Sequence, residues 1–360
     1  ARIESFANFG FAESHALSFA GLVYTSAWIK LHYPAVFLAA LLRSQPMGFY
    51  SSATLVADAR RHGVVTRRPD VARSSVGADL ELLDSCHEGL GGEGLETGMD
   101  DCLHDHDESE IGAFDPNRDD GDHRRDTHFA VRLGLSDVSG INIETATRIV
   151  EERERESFVS LDDLARRVDL SGEEVEALAL AGAFDDLVGS RRGALWQIGQ
   201  INGVAPGQLD VQVVTQPPLL PEPTQMELLG DDLRATSIST TDHPVRQVRD
   251  ALNRRGVVQV DRLDGVEARR RIEVAGVVTH RQRPGTAGGV TFLNLEDETG
   301  LLNVIVTPGA WRHYRRVART SRALVVRGIL ERGDEGVMSL QADRLEALDL
   351  SVPTKSRDFR

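Results

Sequence analysis

Five short β-rich runs separated by turn residues occupy the stretch 272–345, and they constrain the fold more than any other feature of this chain. Apolar and polar residues alternate within them, as in Leu293 and Leu295 against Phe292 and Asn294. A period of two is typical of an antiparallel strand with one buried face. The runs cover residues 272–280, 290–296, 301–306, 323–331 and 336–345, with a helical segment at 311–317. We therefore predict a small five-stranded OB-type β-barrel.

Cationic residues and an aromatic side chain lie close together on this predicted barrel. Arg281 and Arg283 flank the first turn, and Phe292 lies on the second strand. Arginines neutralise phosphates while an aromatic ring stacks on an unpaired base, which is how such barrels bind single strands. We predict that these three residues bind single-stranded nucleic acid. The alternative is a plain β-barrel with a solvated loop.

The net charge of −15 comes almost entirely from one segment. Residues 77–127 contain 17 acidic and 3 basic residues, whereas the other 309 residues contain 39 and 38. Like charge, low hydrophobicity and scattered glycines oppose a packed core, so we predict a disordered acidic insertion. The rest of the chain is nearly neutral, and the acidic total therefore does not exclude binding to nucleic acid.

Potential metal ligands lie in this acidic segment, but they lack the spacing of a metal site. A zinc site requires closely paired ligands such as Cys-x-x-Cys, and this pairing does not occur. We therefore predict that the chain itself binds no metal ion. The residues concerned are Cys86, His87, Cys102, His104, His106 and His123.

The length of 360 residues predicts two or three domains. An apolar fraction of 41% is enough for folded cores, and no apolar run is long enough to cross a membrane. Two cysteines do not make a disulfide framework, so we predict a cytoplasmic location without membrane contact. The chain starts at Ala1 rather than Met and enters a helical pattern at once, which indicates a fragment of a longer protein.

Helical periodicity and specific motifs characterise the amino-terminal stretch. Apolar residues recur every three or four positions between Ala16 and Leu31, and Tyr33-Pro34 interrupts the pattern. The motifs FANFGFAESH, QPMGFY and DARRHG, at residues 6–15, 45–50 and 58–63, resemble the end of the fingers of bacterial C-family DNA polymerases. That family includes the alpha subunit of DNA polymerase III. The motif around Ser14 resembles the error-prone branch, which serves damage-induced mutagenesis, rather than the replicative branch.

Polar residues of this stretch are candidate nucleotide contacts because of the resemblance. Ser14, His15, Lys30 and Arg43 are the groups that could meet a triphosphate or the template backbone. The residues alone favour a simpler interpretation, in which His15 caps a helix and Lys30 and Arg43 are solvated. The resemblance favours a nucleotide-proximal role most directly for Ser14 and His15.

A tight turn followed by an amphipathic helix lies at 139–153 and resembles a helix-hairpin-helix unit. Gly140 allows the backbone to turn, and the amides that open the next helix point towards a phosphate. The usual second glycine of the hairpin is replaced by Asn142, and asparagine tolerates the left-handed conformation that such a turn can require. We predict DNA contacts from Gly140, Ile141, Asn142, Thr145 and Arg148. Residues 158–184 are predicted to form a structural companion hairpin.

These patterns together predict a multidomain α+β protein. The helical end of the fingers and a helix-hairpin-helix region come first, and a five-stranded OB-type barrel follows. The predicted divisions are 1–69 for the fingers, 70–134 for a strand region that contains the acidic insertion 77–127, 135–200 for the helix-hairpin-helix region, 201–235 for a linker, 236–269 for a helical connector, 270–348 for the barrel and 349–360 for a tail.

The resemblance also implies the function of the parent protein. An error-prone polymerase adds deoxynucleotide triphosphates to primed DNA by Mg²⁺-dependent two-metal phosphoryl transfer, and acts in translesion synthesis and DNA repair. The metal-binding palm is not found here, so we expect this chain alone to be inactive and to bind template-primer and single-stranded template DNA weakly. Accessory mutagenesis proteins and the sliding clamp are the implied partners. A stand-alone single-stranded-DNA-binding protein and a replicative alpha subunit are the alternatives.

Overall fold

The computed structural model describes residues 13–48, 50–83, 120–201, 221–333, 336–350 and 357–359. Helices dominate up to residue 255 and a β-barrel follows, so the predicted α+β order is confirmed. Among the described helices, none combines the length and the apolar character that crossing a membrane requires.

The amino-terminal region consists of three consecutive helices. They are α1 (Glu13–His32), α2 (Pro34–Arg43) and α3 (Ser52–Arg61). The boundary predicted at Tyr33-Pro34 is present, because Pro34 occupies the first position of α2, where its missing N–H costs nothing. Apolar side chains on the amino-terminal half of α1 are largely exposed: Leu17, Phe19, Leu22, Val23 and Tyr24.

A small sheet follows, and it corrects the prediction for the acidic segment. In the described part of the chain the sheet has the strand order β1 (Val65–Arg67), β3 (Phe129–Arg132), β2 (Asp79–Leu82). Strand β2 lies inside the predicted disordered insertion 77–127, where it pairs antiparallel with β3. Residues 84–119 lie outside the described residues.

The other end of the acidic segment is also ordered. The carboxylate of Asp126 is buried and accepts hydrogen bonds from the amides of Ala35, at 2.7 Å, and Val36, at 3.2 Å. These amides open α2 and have no partner within that helix, so the carboxylate caps it. Arg124 pairs with the same carboxylate at 2.7 Å. A short helix, α4 (Asp120–His123), precedes this contact.

A helical domain with one apolar core occupies the middle of the chain. Ile149, Leu164, Leu178 and Phe184 are almost completely buried in that core. The helices are α5 (Ile143–Arg155), α6 (Leu161–Val168), α7 (Gly172–Leu180), α8 (Asp185–Val188), α9 (Arg191–Ile201) and α10 (Gln225–Ala235).

Helix α10 corrects the predicted linker over 201–235, of which residues 202–220 lie outside the described residues. Thr224 and Glu227 form a capping box at the start of the helix. Arg191 of α9 pairs with the buried Asp232 at 2.8 Å, which fastens α10 to the helical domain. The capping-box residues of this helix are present in the sequence, but the prolines that precede them led to the prediction of a linker.

The carboxy-terminal domain is a closed β-barrel, as predicted. Helix α11 (Arg249–Arg255) leads into it. Within the described residues the barrel contains β4 (Arg271–Gln282), β5 (Thr291–Glu296), β6 (Leu301–Val306), β7 (Ala323–Arg332) and β8 (Met338–Ala347). The order β5-β6-β8-β7-β4 closes because β4 also pairs with β5. A short strand, β9 (Arg357–Phe359), adds to the outer edge of β4.

Two short helices cover one end of the barrel between β6 and β7. They are α12 (Pro308–His313) and α13 (Arg315–Thr320), so the helix predicted between the third and fourth strands is present. Leu293 and Leu295 of β5 are buried in the barrel, and Phe292, which precedes them, faces outwards. The alternation read from the sequence therefore assigns the inner and outer faces of β5 correctly.

Candidate nucleic-acid interface

The loop between β4 and β5 presents an arginine beside an aromatic face. Arg283 is exposed, and its guanidinium carbon lies 5.5 Å from the ring centre of Trp311 on α12. Gly288 and Gly289 have positive φ angles of 58° and 86°, a conformation that residues with a side chain adopt at a cost. The contact between the cation and the ring orients the arginine at the rim of the barrel.

Phe292 supplies an exposed aromatic side chain on the outer surface of the barrel. It is 36% exposed and lies opposite Gln282 of β4 and Ile305 of β6. An aromatic ring on the central strand of three neighbouring strands is a suitable platform for a base. Two of the three side chains predicted for this face, Phe292 and Arg283, are therefore accessible.

Arg281 does not lie in the loop, and this corrects the sequence interpretation. Strand β4 continues to Gln282, and Arg281 is buried within it. Its guanidinium donates to the carbonyl of Ala318, at 2.9 Å, and to that of Ser321. These carbonyls lie at the end of α13, so the arginine neutralises the negative end of that helix and fixes it to the barrel. Arg281 therefore positions α13, and this role replaces the predicted DNA contact.

A bulge in β4 explains why the sequence misplaced this residue. The register between β4 and β5 shifts between Val278 and His280. The shift interrupts the alternation of inner and outer side chains, and both His280 and Arg281 are buried. No local sequence signal marks the bulge, because it depends on the pairing with β5.

Replacing Arg281 with alanine is expected to lower the free energy of unfolding by about 2–4 kcal/mol, because charge-assisted hydrogen bonds to two helix carbonyls are lost. The exposed Arg283 provides the matched control, and its replacement with alanine is expected to cost less than about 0.5 kcal/mol. Urea unfolding followed by circular dichroism measures both. Similar losses for the two variants would contradict the positioning role of Arg281.

The helix-hairpin-helix turn lies at the start of α5 and is exposed at its tip. Gly140 has a φ angle of 97°, as predicted for the turn. Asn142 has a φ angle of −86°, so it does not use the left-handed conformation that asparagine tolerates. Its side chain instead caps α5 by accepting from the amide of Thr145 at 2.7 Å. The chain reaches the helix without a second left-handed residue because the side-chain cap satisfies the helix start.

The other predicted contacts of this turn divide into surface and core residues. Ile141 and Thr145 are buried, and the Thr145 hydroxyl donates to Glu174 of α7 at 2.8 Å. These two residues therefore hold the hairpin against its companion helix. Arg148 is exposed and lies within 3.4 Å of the same hydroxyl. Gly140, Asn142 and Arg148 are the accessible members of the predicted set.

The predicted nucleotide contacts do not converge on one point. Ser14 and His15 are exposed at the start of α1, whereas Lys30 lies 16 residues further along it, about 24 Å away at 1.5 Å per residue. Lys30 pairs with Asp58 at 2.7 Å, and Arg43 pairs with Asp79 at 2.9 Å. The described residues hold Lys30 and Arg43 in ion pairs at the surface, on different parts of the helical region.

A network of ionised side chains connects the helical region with the barrel, and the sequence did not reveal it. Arg61 of α3 approaches Glu296 of β5 at 3.4 Å. Arg249 of α11 pairs with Asp297 at 3.1 Å and with Glu298 at 2.5 Å. Burial raises the pKa of Glu296 to about 7, although the guanidinium of Arg61 opposes the shift. These contacts join residues far apart in sequence, which no local pattern reveals.

The described residues do not include a group of three histidine, cysteine, aspartate or glutamate side chains that could hold a metal ion. Of the potential ligands in the acidic segment, only His123 is described, and its backbone carbonyl lies 2.9 Å from the ring nitrogen Nδ1 of His32. The other five lie outside the described residues.

Two family models match the chain in the regions described above. A helix-hairpin-helix motif matches residues 63–194, and an OB-fold nucleic acid binding domain matches residues 272–348. The second match coincides with the closed barrel. Both matches agree with the predicted fold class.

Curated relatives match this chain over all of its length. An error-prone DNA polymerase of Cutibacterium acnes is 97% identical over 360 residues, which are 100% of this chain and 32% of that protein. Those of Mycolicibacterium paratuberculosis and Mycobacterium tuberculosis are 45% and 44% identical, and each match covers 100% of this chain and 29% of the relative. The chain therefore spans about a third of the length of these relatives.

Among solved structures, an asparaginyl-tRNA synthetase from Pyrococcus horikoshii is 20% identical over 23% of this chain and 20% of its own. The TM-score is 0.20, so the likeness carries no argument about the whole chain.

Proposed function

We propose that the chain belongs to the error-prone DNA polymerase family and is the carboxy-terminal DNA-binding part of such an enzyme, which acts in translesion synthesis and DNA repair. One observation carries the proposal: a chain homologous to these polymerases throughout contains both a helix-hairpin-helix motif and an OB-fold nucleic acid binding domain. In this proposal each of the two domains binds a different part of the template-primer.

The helix-hairpin-helix turn binds the backbone of DNA in this proposal. The exposed Gly140 brings the chain close to a phosphate, and Arg148 adds a positive charge one turn along α5. The side chain of Asn142 caps α5, so Asn142 contributes by shaping the turn. Contacts of this kind hold DNA of any sequence, as a polymerase requires.

The outer face of the barrel binds the single-stranded template. Arg283 meets a phosphate at the rim, and Phe292 stacks on an unpaired base. Arg283 and Phe292 lie close together, because Phe292 is opposite Gln282, the residue that precedes Arg283. Stacking tolerates any base, including a damaged one, which suits synthesis across lesions.

Nucleotide addition belongs to another part of the parent enzyme. Mg²⁺ would supply charge stabilisation for phosphoryl transfer there, but the described residues of this chain do not fit the ion, since they offer no cluster of ligands. We place the metal site on a palm domain outside this sequence. Ser14 and His15 remain candidates for contacts near the nucleotide, while Lys30 and Arg43 are engaged by Asp58 and Asp79.

The exposed apolar side chains of α1 support the existence of a larger protein around this chain. Leu17, Val23 and Tyr24 are 76%, 66% and 74% exposed. Exposure of several large apolar side chains to water is unfavourable, so we propose that the remainder of the polymerase covers this helix. The sliding clamp and accessory mutagenesis proteins are the proposed partners of the whole enzyme, and the cytoplasm is its proposed location.

Replacing Phe292 with alanine is expected to weaken binding of single-stranded DNA by about 1–3 kcal/mol, because a base loses its stacking partner. Replacing Arg283 with alanine is expected to reduce the slope of log K against log salt by about 0.7, the value for one phosphate on a single strand. Fluorescence anisotropy at several salt concentrations, with the full-length protein, measures both effects.

Leu301 provides a control, since it is 38% exposed on the neighbouring strand without being an aromatic platform. Its replacement with alanine is expected to leave single-strand affinity within about twofold. Unfolding of the Phe292→Ala variant would assign this side chain to the core instead. An unchanged affinity in a folded variant would remove the outer face of β5 from the template path.

A further inference from the structure

A stripe of arginines covers α12, α13 and the residue that leads into β7. We call it the arginine surface, and all of its members are exposed. The whole stretch 307–322 contains no acidic residue, in a chain whose net charge is −15. The arginine surface consists of Arg312, Arg315, Arg316, Arg319 and Arg322.

Packing of the opposite helix face directs these arginines outwards. Trp311 and Ala318 are buried against the barrel, and Val317 packs beside them. Arg312 lies on α12, Arg315, Arg316 and Arg319 lie on α13, and Arg322 follows the end of that helix. Arg319 is three or four residues from Arg315 and Arg316, so these three share one side of α13. Several arginines on two consecutive helices can contact several phosphates at once.

Among the described residues, acidic side chains do not pair with the arginine surface. None of its five guanidinium groups forms an ion pair with a carboxylate in the described part of the chain. The arginines on the side of the barrel differ, since Arg271 and Arg327 each pair with Asp343 at 2.8 Å. The unpaired charge is therefore concentrated on the helical end of the barrel, where it attracts an anionic partner.

The arginine surface is held rigidly and joins the rim of the barrel. Arg281 fixes the end of α13 through the carbonyls of Ala318 and Ser321. Arg283 contacts the ring of Trp311, so the β4–β5 loop and α12 form one continuous cationic surface. The backbone that carries these arginines is therefore held in place, and the helices need no ordering when the surface binds phosphates.

The surface lacks the exposed aromatic side chains that bind unpaired bases. Trp311 is buried and Tyr314 is half-buried, whereas Phe292 lies on the outer surface of β5. Phosphates without base stacking are what a duplex presents on its outside. We propose that the arginine surface binds the phosphate backbone of duplex DNA, as a contact additional to the helix-hairpin-helix turn and to the single-strand face of the barrel. The inference rests on the proposed DNA-binding function.

Replacement of three arginines tests this inference. The variant Arg312→Ala/Arg316→Ala/Arg319→Ala in the full-length protein is expected to bind duplex DNA at least about tenfold more weakly near 0.1 M salt. The slope of log K against log salt should fall in magnitude by about 2–3, which is close to 0.9 for each of the three phosphate contacts that are lost. Anisotropy titrations with a blunt 20-base-pair duplex and with one of its strands, at four or more salt concentrations, measure both quantities.

Two further variants make the result specific. Arg271→Ala/Arg327→Ala/Arg344→Ala removes the same charge from paired arginines on the barrel side and should leave the slope unchanged. The variant Arg312→Lys/Arg316→Lys/Arg319→Lys retains the charge and should retain the slope, which guards against a folding defect in the alanine variant.

Three outcomes would overturn the inference: an unchanged slope, an equal loss in the barrel-side control, or a loss confined to the single strand. A wild-type protein that binds neither DNA would instead refute the proposed function as a whole. An intact response to Phe292→Ala together with an unchanged duplex slope would refute only the arginine surface.

Discussion

Replacement of Arg249 by alanine is expected to lower the free energy of unfolding by about 3–5 kcal/mol, the range for breaking a buried ion pair from one side. Asp297 is completely buried, and its carboxylate lies 3.1 Å from the guanidinium of Arg249. Glu298 lies 2.5 Å from the same group. Alanine at position 249 would leave one buried and one nearly buried carboxylate without their cation.

The remaining bonds of Asp297 explain why the protein cannot relax around the loss. Its carboxylate accepts from the amides of Thr299, at 2.8 Å, and Gly300, at 2.9 Å, which form the turn between β5 and β6. It also accepts from the amide of Val260 at 3.1 Å, before the barrel begins. One buried side chain thus organises a turn and attaches the connector, and Arg249 is the cation that pairs with it.

Arg255 on the same helix provides the matched control. It pairs with Glu273 and Glu346, each at 2.8 Å, but these side chains remain partly exposed. Solvent screens such pairs, so Arg255→Ala is expected to cost no more than about 1 kcal/mol. Urea unfolding of the wild type and the two variants decides the point. Equal costs for the two arginines would contradict a special role for the buried pair.

The Arg249 network marks the boundary of what local sequence patterns can predict. The alternation around Leu293 assigned the inside and outside of β5 correctly, because the period of two is a property of a single strand. Pairing between Arg249 and Asp297 joins residues 48 positions apart, and it exists only once the connector packs on the barrel. The prediction for Arg281 failed for the same reason, since pairing with the partner strand creates the bulge beside His280.

The acidic segment illustrates a different source of error, in which average composition was applied to its edges. Leu80 and Leu82 continue an alternating strand that pairs with β3, although acidic residues surround them. Asp126 counts as one of many acids by composition, but its position makes it the cap of α2. The location of the helix-hairpin-helix turn was predicted correctly, because Gly140 and the helix after it carry a local signal.

Two titrating side chains near the Arg61–Glu296 contact are expected to give stability opposite dependences on pH. Burial raises the pKa of Glu296 to about 7, while Arg61 opposes this and Asp58 and Asp297 add to it. Desolvation lowers the pKa of His243 to about 3; Glu298 opposes this shift, and nearby arginines, Arg61 first, add to it. The amide of Val245 donates to Nδ1 of His243 at 3.2 Å, which requires an unprotonated nitrogen there.

The signs follow from comparing each pKa with its value in the unfolded chain. Glu296 has a folded pKa above the usual 4.5, so its contribution is complete below pH 4.5 and is lost as the pH rises through 7. His243 has a folded pKa below 6.5, so its contribution is complete above pH 6.5 and is lost as the pH falls towards 3. Between pH 6.5 and 4.5 the two slopes oppose each other, and the wild-type stability should change little from these groups.

Single substitutions should separate the two slopes. Each pH unit over which only one state titrates is worth about 1.4 kcal/mol. His243→Asn keeps an acceptor for the Val245 amide, and its stability should rise by about 2 kcal/mol from pH 6.5 to 5 through Glu296. Glu296→Gln should show a fall over the same interval, of about 1–2 kcal/mol because the His243 ring keeps some contact with water.

Urea unfolding at half-unit steps from pH 4.5 to 8 measures these curves, and the double variant supplies the baseline for all other groups. The difference between each single variant and the double variant isolates one titration, so general acid denaturation cancels. Parallel curves for the two single variants would show that neither group titrates with a shifted pKa. Opposite slopes would mean that the titrations of Glu296 and His243 compensate each other. The stability of the region around the Arg61–Glu296 contact would then change little over two pH units.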